Sequence, residues 1–151
     1  MSFNIAIDGP AGAGKSTIAK KIAKELGFVY VDTGAMYRAM ALYFLRSNIS
    51  NEDEQAISRA SENVEITIQY ENGEQQVFLN GENVSGEIRK EEVGNMASKT
   101  SGYGQVRKKL VELQQQLAKK ADVVMDGRDI GTVVLPDAQV KVYLTARVAT
   151  R

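Results

Sequence analysis

The first part of the chain alternates between short apolar runs and stretches of helical periodicity. Residues 3–7 form a mostly apolar run that ends at Asp8-Gly9-Pro10, which is typical of a buried strand. Apolar side chains between Ile18 and Leu26 recur at helical spacing, with lysines on the opposite side, and Gly27 is a suitable helix stop. The pattern therefore predicts a strand, a glycine-rich turn and an amphipathic helix.

A second strand and a second helix are predicted immediately afterwards. Residues 28–31 form another apolar run, and Asp32-Thr33-Gly34 begins a helical pattern that continues through Leu45, with Thr33 as a candidate N-cap. The order strand, helix, strand, helix at the start of the chain indicates a parallel sheet with crossover helices.

The middle of the chain shows the period of two that is typical of a half-buried strand. Apolar and polar residues alternate over 64–70, Asn72-Gly73 is a strong hairpin turn, and residues 75–79 supply the second strand before a further turn at Asn80-Gly81. Because an antiparallel hairpin interrupts a parallel α/β pattern, we predict an inserted subdomain over residues 62–95.

Helical and buried-strand patterns return after this hairpin. Apolar residues recur at helical spacing over 106–117, short apolar strands are predicted at 123–125 and 140–144, and a new helix begins near Ala146. The predicted core is therefore discontinuous and comprises residues 1–61 and 96–151.

The composition excludes several classes of chemistry. The chain has 151 residues, enough for one domain with a core, and it contains neither cysteine nor histidine. Cysteine redox chemistry, serine–histidine hydrolysis and zinc hydrolysis are therefore excluded. Nineteen basic residues balance nineteen acidic ones, so no overall field favours nucleic acid or an anionic membrane. No apolar stretch reaches the roughly 18 residues of a membrane span and no signal-peptide pattern is visible, so we expect a cytoplasmic location.

A glycine-rich segment, residues 9–16, matches the pattern G-x-x-x-x-G-K-[ST] and lies between a predicted strand and a predicted helix, as that motif requires. Glycines let successive main-chain N–H groups converge on one anion, and the helix N-terminus adds its positive dipole. Lys15 would contact the β and γ phosphates, and Ser16 would supply a hydroxyl ligand for Mg²⁺. The guanine-reading N-K-x-D pattern of GTPases is absent. We predict ATP binding by Gly9, Pro10, Ala11, Gly12, Ala13, Gly14, Lys15, Ser16 and Thr17.

Three further segments carry side chains suited to a second substrate. Arg38 lies early in the second helix, and its planar guanidinium suits a phosphate, although a lone arginine is usually a surface residue. Residues 126–132 follow an apolar strand, and ligands of open α/β sheets bind beyond the carboxyl ends of strands, so we expect this loop to face the phosphate loop. Ser98 and Arg107 flank a glycine-rich stretch. Asp126 either has a metal-linked role or caps the turn, and both roles stay open.

Four segments spread over nearly the whole chain carry a family resemblance. They are I-D-G-P-A-G-A-G-K-S-T (Ile7–Thr17), D-T-G-A-M-Y-R (Asp32–Arg38), V-S-G-E-I-R (Val84–Arg89) and D-G-R-D-I-G-T-V-V-L-P-D-A (Asp126–Ala138). The first is shared among many kinases, whereas the last is long and specific. Together they resemble the bacterial cytidylate kinase family of P-loop nucleoside monophosphate kinases. The resemblance implies an α/β fold of the P-loop NTPase type, with a parallel sheet flanked by helices and the inserted hairpin subdomain binding the monophosphate.

The resemblance also implies an activity, namely transfer of the ATP γ-phosphoryl group to CMP, with dCMP as a second acceptor and Mg²⁺ as cofactor. Lys15 and Arg128 would be catalytic, and Arg38 and Arg128 would hold the acceptor phosphate. The monophosphate pocket would be lined by Thr33, Ser98, Arg107 and Asp129, the last three near the base. An ionised Asp129 would favour the amino group of cytosine over the carbonyl of uracil.

This chemistry requires neither histidine nor cysteine. Phosphoryl transfer depends on positioning and charge neutralisation, and the acceptor phosphate is already ionised, so no general base is needed. We expect a monomer that binds small nucleotides and has no nucleic-acid or membrane partner. Two alternatives stay open, which are another P-loop kinase of a small acceptor and a nucleotide-binding fragment with little turnover.

The C-terminal end departs from the family pattern. The family continues through an arginine-bearing lid and a last strand, and it commonly reads A-S-V-E-E-R where this chain has Ala146–Arg151. Arg151 would match the first lid arginine, but the two acidic residues are absent. Because lid arginines close over both phosphates and exclude water, we expect a chain without the lid and the last strand to turn over very slowly.

Overall fold

Strands and helices alternate along the chain in a computed structural model that describes residues 2–10, 14–71 and 74–145. The strands are β1 (Asn4–Asp8), β2 (Val29–Asp32), β3 (Ile66–Glu71), β4 (Glu74–Leu79), β5 (Glu82–Asn83), β6 (Val123–Gly127) and β7 (Val140–Tyr143). The α-helices are α1 (Lys15–Leu26), α2 (Thr33–Arg46), α3 (Glu54–Ser61), α4 (Glu91–Thr100) and α5 (Gly104–Lys120), with a 3-10 turn over Glu87–Arg89 and a π-helical turn over Ile130–Val134. The chain divides into two compact units, one comprising Met1–Thr33 with Gln114–Arg151 and the other Gly34–Leu113.

The first unit contains a four-stranded parallel sheet in the order β2-β6-β1-β7. The register pairs Asp126 of β6 with Ile7 of β1 on one side and with Asp32 of β2 on the other. The carboxyl ends of β1, β2 and β6 therefore meet at one edge, where Asp8, Asp32 and Asp126 lie. The predicted parallel sheet is confirmed.

Helix α1 packs on one face of this sheet. The core between them consists of buried side chains from α1 and three strands, namely Ile5, Ile7, Ala19, Ala23, Tyr30 and Val124. Complete burial of a side chain such as Ile7, which is 0% exposed, stabilises the fold by roughly 1.5–3 kcal/mol. The helix ends at Gly27 in a left-handed conformation (φ 73°), and the Gly27 N–H donates to the main-chain oxygen of Ala23. The predicted helix stop is confirmed, and glycine is the residue that adopts this conformation without strain.

The second unit contains an antiparallel sheet in the order β3-β4-β5. Strands β3 and β4 pair from Ile66↔Leu79 to Glu71↔Glu74, which confirms the predicted hairpin, while its Asn72-Gly73 turn lies outside the described residues. The turn at Asn80-Gly81 is confirmed, since both residues have positive φ (49° and 88°) as a tight hairpin turn requires. The subdomain predicted over residues 62–95 lies within this unit, and its role as a monophosphate-binding insert stays a prediction.

Several elements are not predicted by the sequence pattern, among them α3, α4 and the π-helical turn after β6. Helix α3 is eight residues long, buries Ile57 and Ser61, and is capped by Asp53, whose side chain accepts a hydrogen bond from the Ala56 N–H at 3.1 Å. So short a helix shows too few apolar repeats to be distinguished from a loop. The π-helical turn after β6 depends on a contact with β1 that is described below. The helix predicted near Ala146 lies outside the described residues.

No helix in the described part of the chain combines the length and the apolar character that crossing a membrane requires.

Candidate functional site

The phosphate loop connects β1 to α1 at the carboxyl edge of the sheet. Gly9 has a φ of 146°, and a Cβ at this position would collide with the main-chain oxygen of Leu144, so no other residue fits here. Gly14 precedes α1 in a left-handed conformation (φ 83°) that also favours glycine. Pro10, Ser16 and Thr17 flank the loop, whose residues 11–13 (Ala11, Gly12 and Ala13) lie outside the described residues. Backbone geometry therefore requires glycine at position 9 and favours it at position 14.

Lys15 is the first residue of α1, and its side chain reaches back to Gly9. Its Nζ donates to the main-chain oxygen of Gly9 at 2.6 Å. The first turn of α1 contains no acidic side chain, and Ser16 and Thr17 are exposed there. Main-chain N–H groups of a first helical turn have no partner within the helix and carry partial positive charge, which the lysine augments. The start of α1 is therefore a suitable anion site.

Asp126 is a buried acid near the end of β6, with only 5% of its surface exposed. The Tyr30 hydroxyl donates to its Oδ2 at 2.9 Å. Burial, followed by repulsion from Asp32, raises the pKa of Asp126 to about 6, while the Tyr30 hydrogen bond and the charges of Lys15 and Lys20 oppose that rise. Asp126 is therefore mostly ionised at neutral pH, although its surroundings destabilise the ionised form relative to water.

Thr33 begins α2 beside Asp126. Helix α2 starts at Thr33 itself, and the buried Thr33 hydroxyl donates to the main-chain oxygen of Asp126 at 2.8 Å. A Cβ at Gly127 would collide with this hydroxyl, so the close approach of Thr33 to β6 depends on glycine there. The structure thus places Thr33 within the helix, with its hydroxyl bonded to β6, rather than at the predicted N-cap position.

The turn after β6 carries two of the predicted binding residues, Arg128 and Asp129, with exposed side chains. Asp129 is left-handed (φ 57°), and the π-helical turn begins directly after it. The Asp8 carboxylate accepts hydrogen bonds from the main-chain N–H groups of Ile130 at 2.7 Å and Gly131 at 2.9 Å. Since Asp8 directly precedes Gly9, the turn lies next to the start of the phosphate loop, as the sequence predicted.

The second unit carries the other predicted binding residues. Arg38 on α2 donates from Nη1 to the main-chain oxygen of Ile88 at 3.1 Å, and a Cβ added to Gly94 of α4 would lie 3.3 Å from its Nη2. The guanidinium is therefore held between the Val84–Arg89 segment and α4. Ser98 on α4 and Arg107 on α5 both have exposed side chains.

Three contributors to these sites were missed from the sequence. The sequence pattern predicts Asp8 as the end of a strand and Tyr30 as part of an apolar run, and it assigns no role to Gly94. The contacts of these three residues are to partners distant in sequence, so a local pattern does not reveal them. The one useful signal in the sequence is that Asp8 places a carboxylate at a strand end, directly before the glycine motif.

The aspartates at this sheet edge do not form a metal-holding cluster among the described residues. Within residues 2–10, 14–71 and 74–145, no group of three or more aspartate, glutamate, histidine or cysteine side chains is arranged to hold a metal ion. Magnesium at nucleotide sites uses phosphate oxygens and water with one or two carboxylates. The Ser16 hydroxyl and the Asp126 carboxylate fit that smaller set of donors.

Comparison with known proteins identifies the family to which this sequence belongs. The family model for cytidylate kinase matches residues 5–151. Proteins named cytidylate kinase from Caldicellulosiruptor saccharolyticus and Caldanaerobacter subterraneus subsp. tengcongensis are 53% and 55% identical over 99% and 100% of this chain, which covers 66% of each relative. A third, from Lactobacillus johnsonii, is 52% identical over 99% of this chain and 65% of its own length. The chain thus spans about two thirds of the length of the curated relatives it matches, and it belongs to the cytidylate kinase family.

Proposed function

We propose that this chain provides the nucleotide-binding part of an enzyme that transfers the γ-phosphoryl group of ATP to CMP or dCMP, giving ADP and CDP or dCDP. The observation that carries the proposal is that the turn bearing Arg128 and Asp129 is hydrogen-bonded to Asp8, directly before the phosphate loop. The residues proposed to bind the donor and those proposed to bind the acceptor would thereby be supported by one sheet edge. The relatives that share about half of its residues are named cytidylate kinases.

The donor side would consist of the phosphate loop and the start of α1. The Lys15 ammonium, which donates to the Gly9 oxygen, would instead contact the β and γ phosphates of ATP. The exposed main-chain N–H groups at the start of α1 would bind the same anion. As charge moves to the leaving oxygen, these fixed positive groups would stabilise it without having to reorganise.

Magnesium would be held by the Ser16 hydroxyl, with the Asp126 carboxylate as the nearby acid. When bound, the ion supplies charge neutralisation to the triphosphate. Because the pKa of Asp126 is raised to about 6, its carboxylate would be mostly ionised at a pH above that value. The Tyr30 hydroxyl, which donates to Oδ2, would fix the orientation of that carboxylate.

The acceptor side would consist of the predicted arginines and the residues that line the monophosphate pocket. Arg38 and Arg128 would hold the phosphate of CMP, because a guanidinium fork suits a phosphate oxygen pair. The remaining pocket residues are Thr33, Ser98, Arg107 and Asp129. Since the acceptor oxygen is already ionised, none of them need act as a base. The protein would act as a cytoplasmic monomer on small nucleotides, without nucleic-acid or membrane partners.

Replacing Asp129 with asparagine tests the acceptor assignment. Asparagine tolerates the left-handed backbone found at position 129, so the turn should be preserved. The neutral amide no longer repels the uracil carbonyl, and the preference for CMP over UMP should fall about tenfold or more. Coupled assays of kcat/KM for CMP, UMP and AMP measure this, with Asp137→Asn, an exposed acid, as the matched control.

An unchanged CMP to UMP ratio in Asp129→Asn would contradict the pocket assignment. A preference of the unmodified chain for AMP, or for an acceptor hydroxyl, would instead favour another P-loop kinase. Tight CMP binding in calorimetry without product would favour a nucleotide-binding fragment.

Replacing Gly94 with alanine tests Arg38 separately. The new Cβ would lie 3.3 Å from Arg38 Nη2, so the guanidinium must move by a few tenths of an ångström. Alanine should stabilise helix α4 by about 0.5–1 kcal/mol, since glycine is the poorer helix former. We therefore expect a higher unfolding midpoint in urea but CMP binding weakened by about threefold or more, as a displaced phosphate ligand requires.

The control for Gly94→Ala is Gly86→Ala. A Cβ at Gly86 meets nothing within 4 Å, and its backbone is already right-handed. That variant should bind CMP like the unmodified chain. Equal CMP affinities in both variants would contradict a phosphate-binding role for Arg38.

A further inference from the structure

Asp8 makes the contact that joins the two ligand-binding loops of the first unit, yet the proposed phosphate chemistry does not use it. Its Oδ1 accepts from the Ile130 N–H at 2.7 Å and its Oδ2 accepts from the Gly131 N–H at 2.9 Å. These partners lie 122 and 123 positions away along the chain. Both carboxylate oxygens are thus committed to one short stretch of main chain.

Within the turn that Asp8 holds, the Asp129 main-chain oxygen accepts from the Val133 and Val134 N–H groups, while the first two N–H groups of the turn donate to Asp8. N–H groups in the first turn of a helical segment lack partners within that segment, and the carboxylate supplies charge-assisted acceptors for two of them. Directly before them, Asp129 is left-handed at a φ of 57°. Aspartate tolerates this conformation, and the turn that follows it is anchored at its first two N–H groups by Asp8.

The strand that carries Asp8 is held independently of this contact. Strand β1 is paired with β6 on one side and β7 on the other, and Asp8 itself takes part in both pairings. In addition, the Leu144 N–H donates to the Asp8 main-chain oxygen at 2.8 Å. Loss of the Asp8 carboxylate should therefore leave Gly9 in place and release residues 129–131.

We propose that Asp8 is a positioning residue for acceptor binding, which fixes Arg128 and Asp129 at a set distance from the phosphate loop. It acts through the main chain of Ile130 and Gly131 and touches neither nucleotide. The inference rests on the proposed function, because Arg128 and Asp129 are its acceptor ligands. It predicts a selective loss: acceptor binding depends on Asp8, whereas donor binding does not.

The test compares Asp8→Asn with Asp122→Asn by titrating each protein with CMP and, separately, with the ATP analogue AMP-PNP. An asparagine at position 8 can accept from one N–H, but its amide NH₂ then faces the other. Asp122 is the matched control, since its Oδ1 accepts from the Phe3 N–H at 2.6 Å at the opposite end of β1. We expect Asp8→Asn to weaken CMP binding about tenfold or more and AMP-PNP binding less than about threefold, since only the acceptor turn is released.

A second variant disturbs the same contact without removing the charge. A Cβ at Gly131 would lie 3.3 Å from Asp8 Oδ2 and 3.2 Å from Lys141 Cδ, so Gly131→Ala should push the turn away from Asp8. It should weaken CMP binding in the same selective way. The double variant should lose less than the sum of the two single losses, because both substitutions break one contact.

The outcomes separate this inference from the proposed function. In Asp8→Asn, the amide proton resonances of Ile130 and Gly131 should move upfield. If Asp8 had only a general structural role, the substitution would weaken the binding of CMP and of AMP-PNP by similar factors. CMP affinity equal to that of Asp122→Asn, or parallel losses for CMP and AMP-PNP, would overturn the inference. If the unmodified chain binds AMP-PNP but not CMP, the proposed function fails first.

Discussion

Replacing Lys15 with methionine should lower the rate of phosphoryl transfer by about 100- to 1000-fold, the typical effect of removing one preorganised group that stabilises developing charge. The Lys15 Nζ donates to the Gly9 oxygen at 2.6 Å, so the ammonium is already positioned beside the first residue of the phosphate loop. Methionine keeps the length and the helix propensity of lysine but has no charge. The fold should therefore be unchanged while the anion loses its principal cation.

Single-turnover assays with excess protein and labelled ATP measure this effect even where steady-state turnover is slow. Calorimetry with AMP-PNP gives the accompanying loss of affinity. The matched control is Lys21→Met, an exposed lysine on the same helix that leads away from the loop. If both variants bind AMP-PNP and transfer phosphate alike, Lys15 is not a phosphate ligand.

Replacing Asp126 with asparagine should stabilise the native state at alkaline pH relative to acid pH. The folded-state pKa of Asp126 is raised from 3.8 to about 6, chiefly by burial. The native protein therefore retains a proton that the unfolded chain has released, so ionisation costs stability as pH rises from about 4 to 6 and the cost stays constant above that. At 1.36 kcal/mol per pKa unit, the full cost is about 3 kcal/mol.

The measurement is the free energy of unfolding in urea at pH 4 and pH 8, for both proteins, with a chelator present. Between these values the variant should gain about 2 kcal/mol on the unmodified chain, because other titrating groups cancel in the comparison. Tyr30→Phe should have the opposite effect on the pH dependence. It removes the hydroxyl that lowers the pKa of Asp126, so this pKa should rise further and the loss of stability between pH 4 and pH 8 should be larger. Parallel pH dependence in the Asp126→Asn variant and the unmodified chain would contradict this account.

A buried acid that destabilises its own fold is informative about function. Stability alone would favour asparagine or an apolar residue at position 126, since the charge is buried and adjoins Asp32. Groups of this kind are concentrated at functional sites. The expected outcome is that Asp126→Asn is more stable at pH 8 but deficient in magnesium-dependent turnover, which would decide between the metal-linked and turn-capping roles.

Much of the local structure follows from the sequence because its causes are local. The phosphate loop, the stop of α1 at Gly27 and the hairpin turn at Asn80-Gly81 are fixed by a few adjacent residues with particular backbone requirements. The sequence pattern does not predict helix α3, because its eight residues contain too few apolar repeats to show helical periodicity.

The candidate site was predicted less completely. The sequence and its family resemblance predict Lys15, Arg128 and Asp129 as ligands, which stays a prediction, and do not identify the groups that hold these residues in place. Tyr30 looks like any apolar strand residue until its hydroxyl is found on Asp126, 96 positions away. Asp8 looks like a strand end until its carboxylate is found on Ile130 and Gly131.

The sequence by itself determined that this chain has a phosphate loop between a strand and a helix, a parallel sheet and an inserted hairpin, because periodicity and turn chemistry act within a few residues. Only the tertiary structure decided the strand order β2-β6-β1-β7, which sets Asp126 between Ile7 and Asp32 and brings Asp8 to the turn after β6. The physical reason is that strand pairing and buried hydrogen bonds join residues far apart in the chain, and no local pattern specifies which distant donor will satisfy a given acceptor.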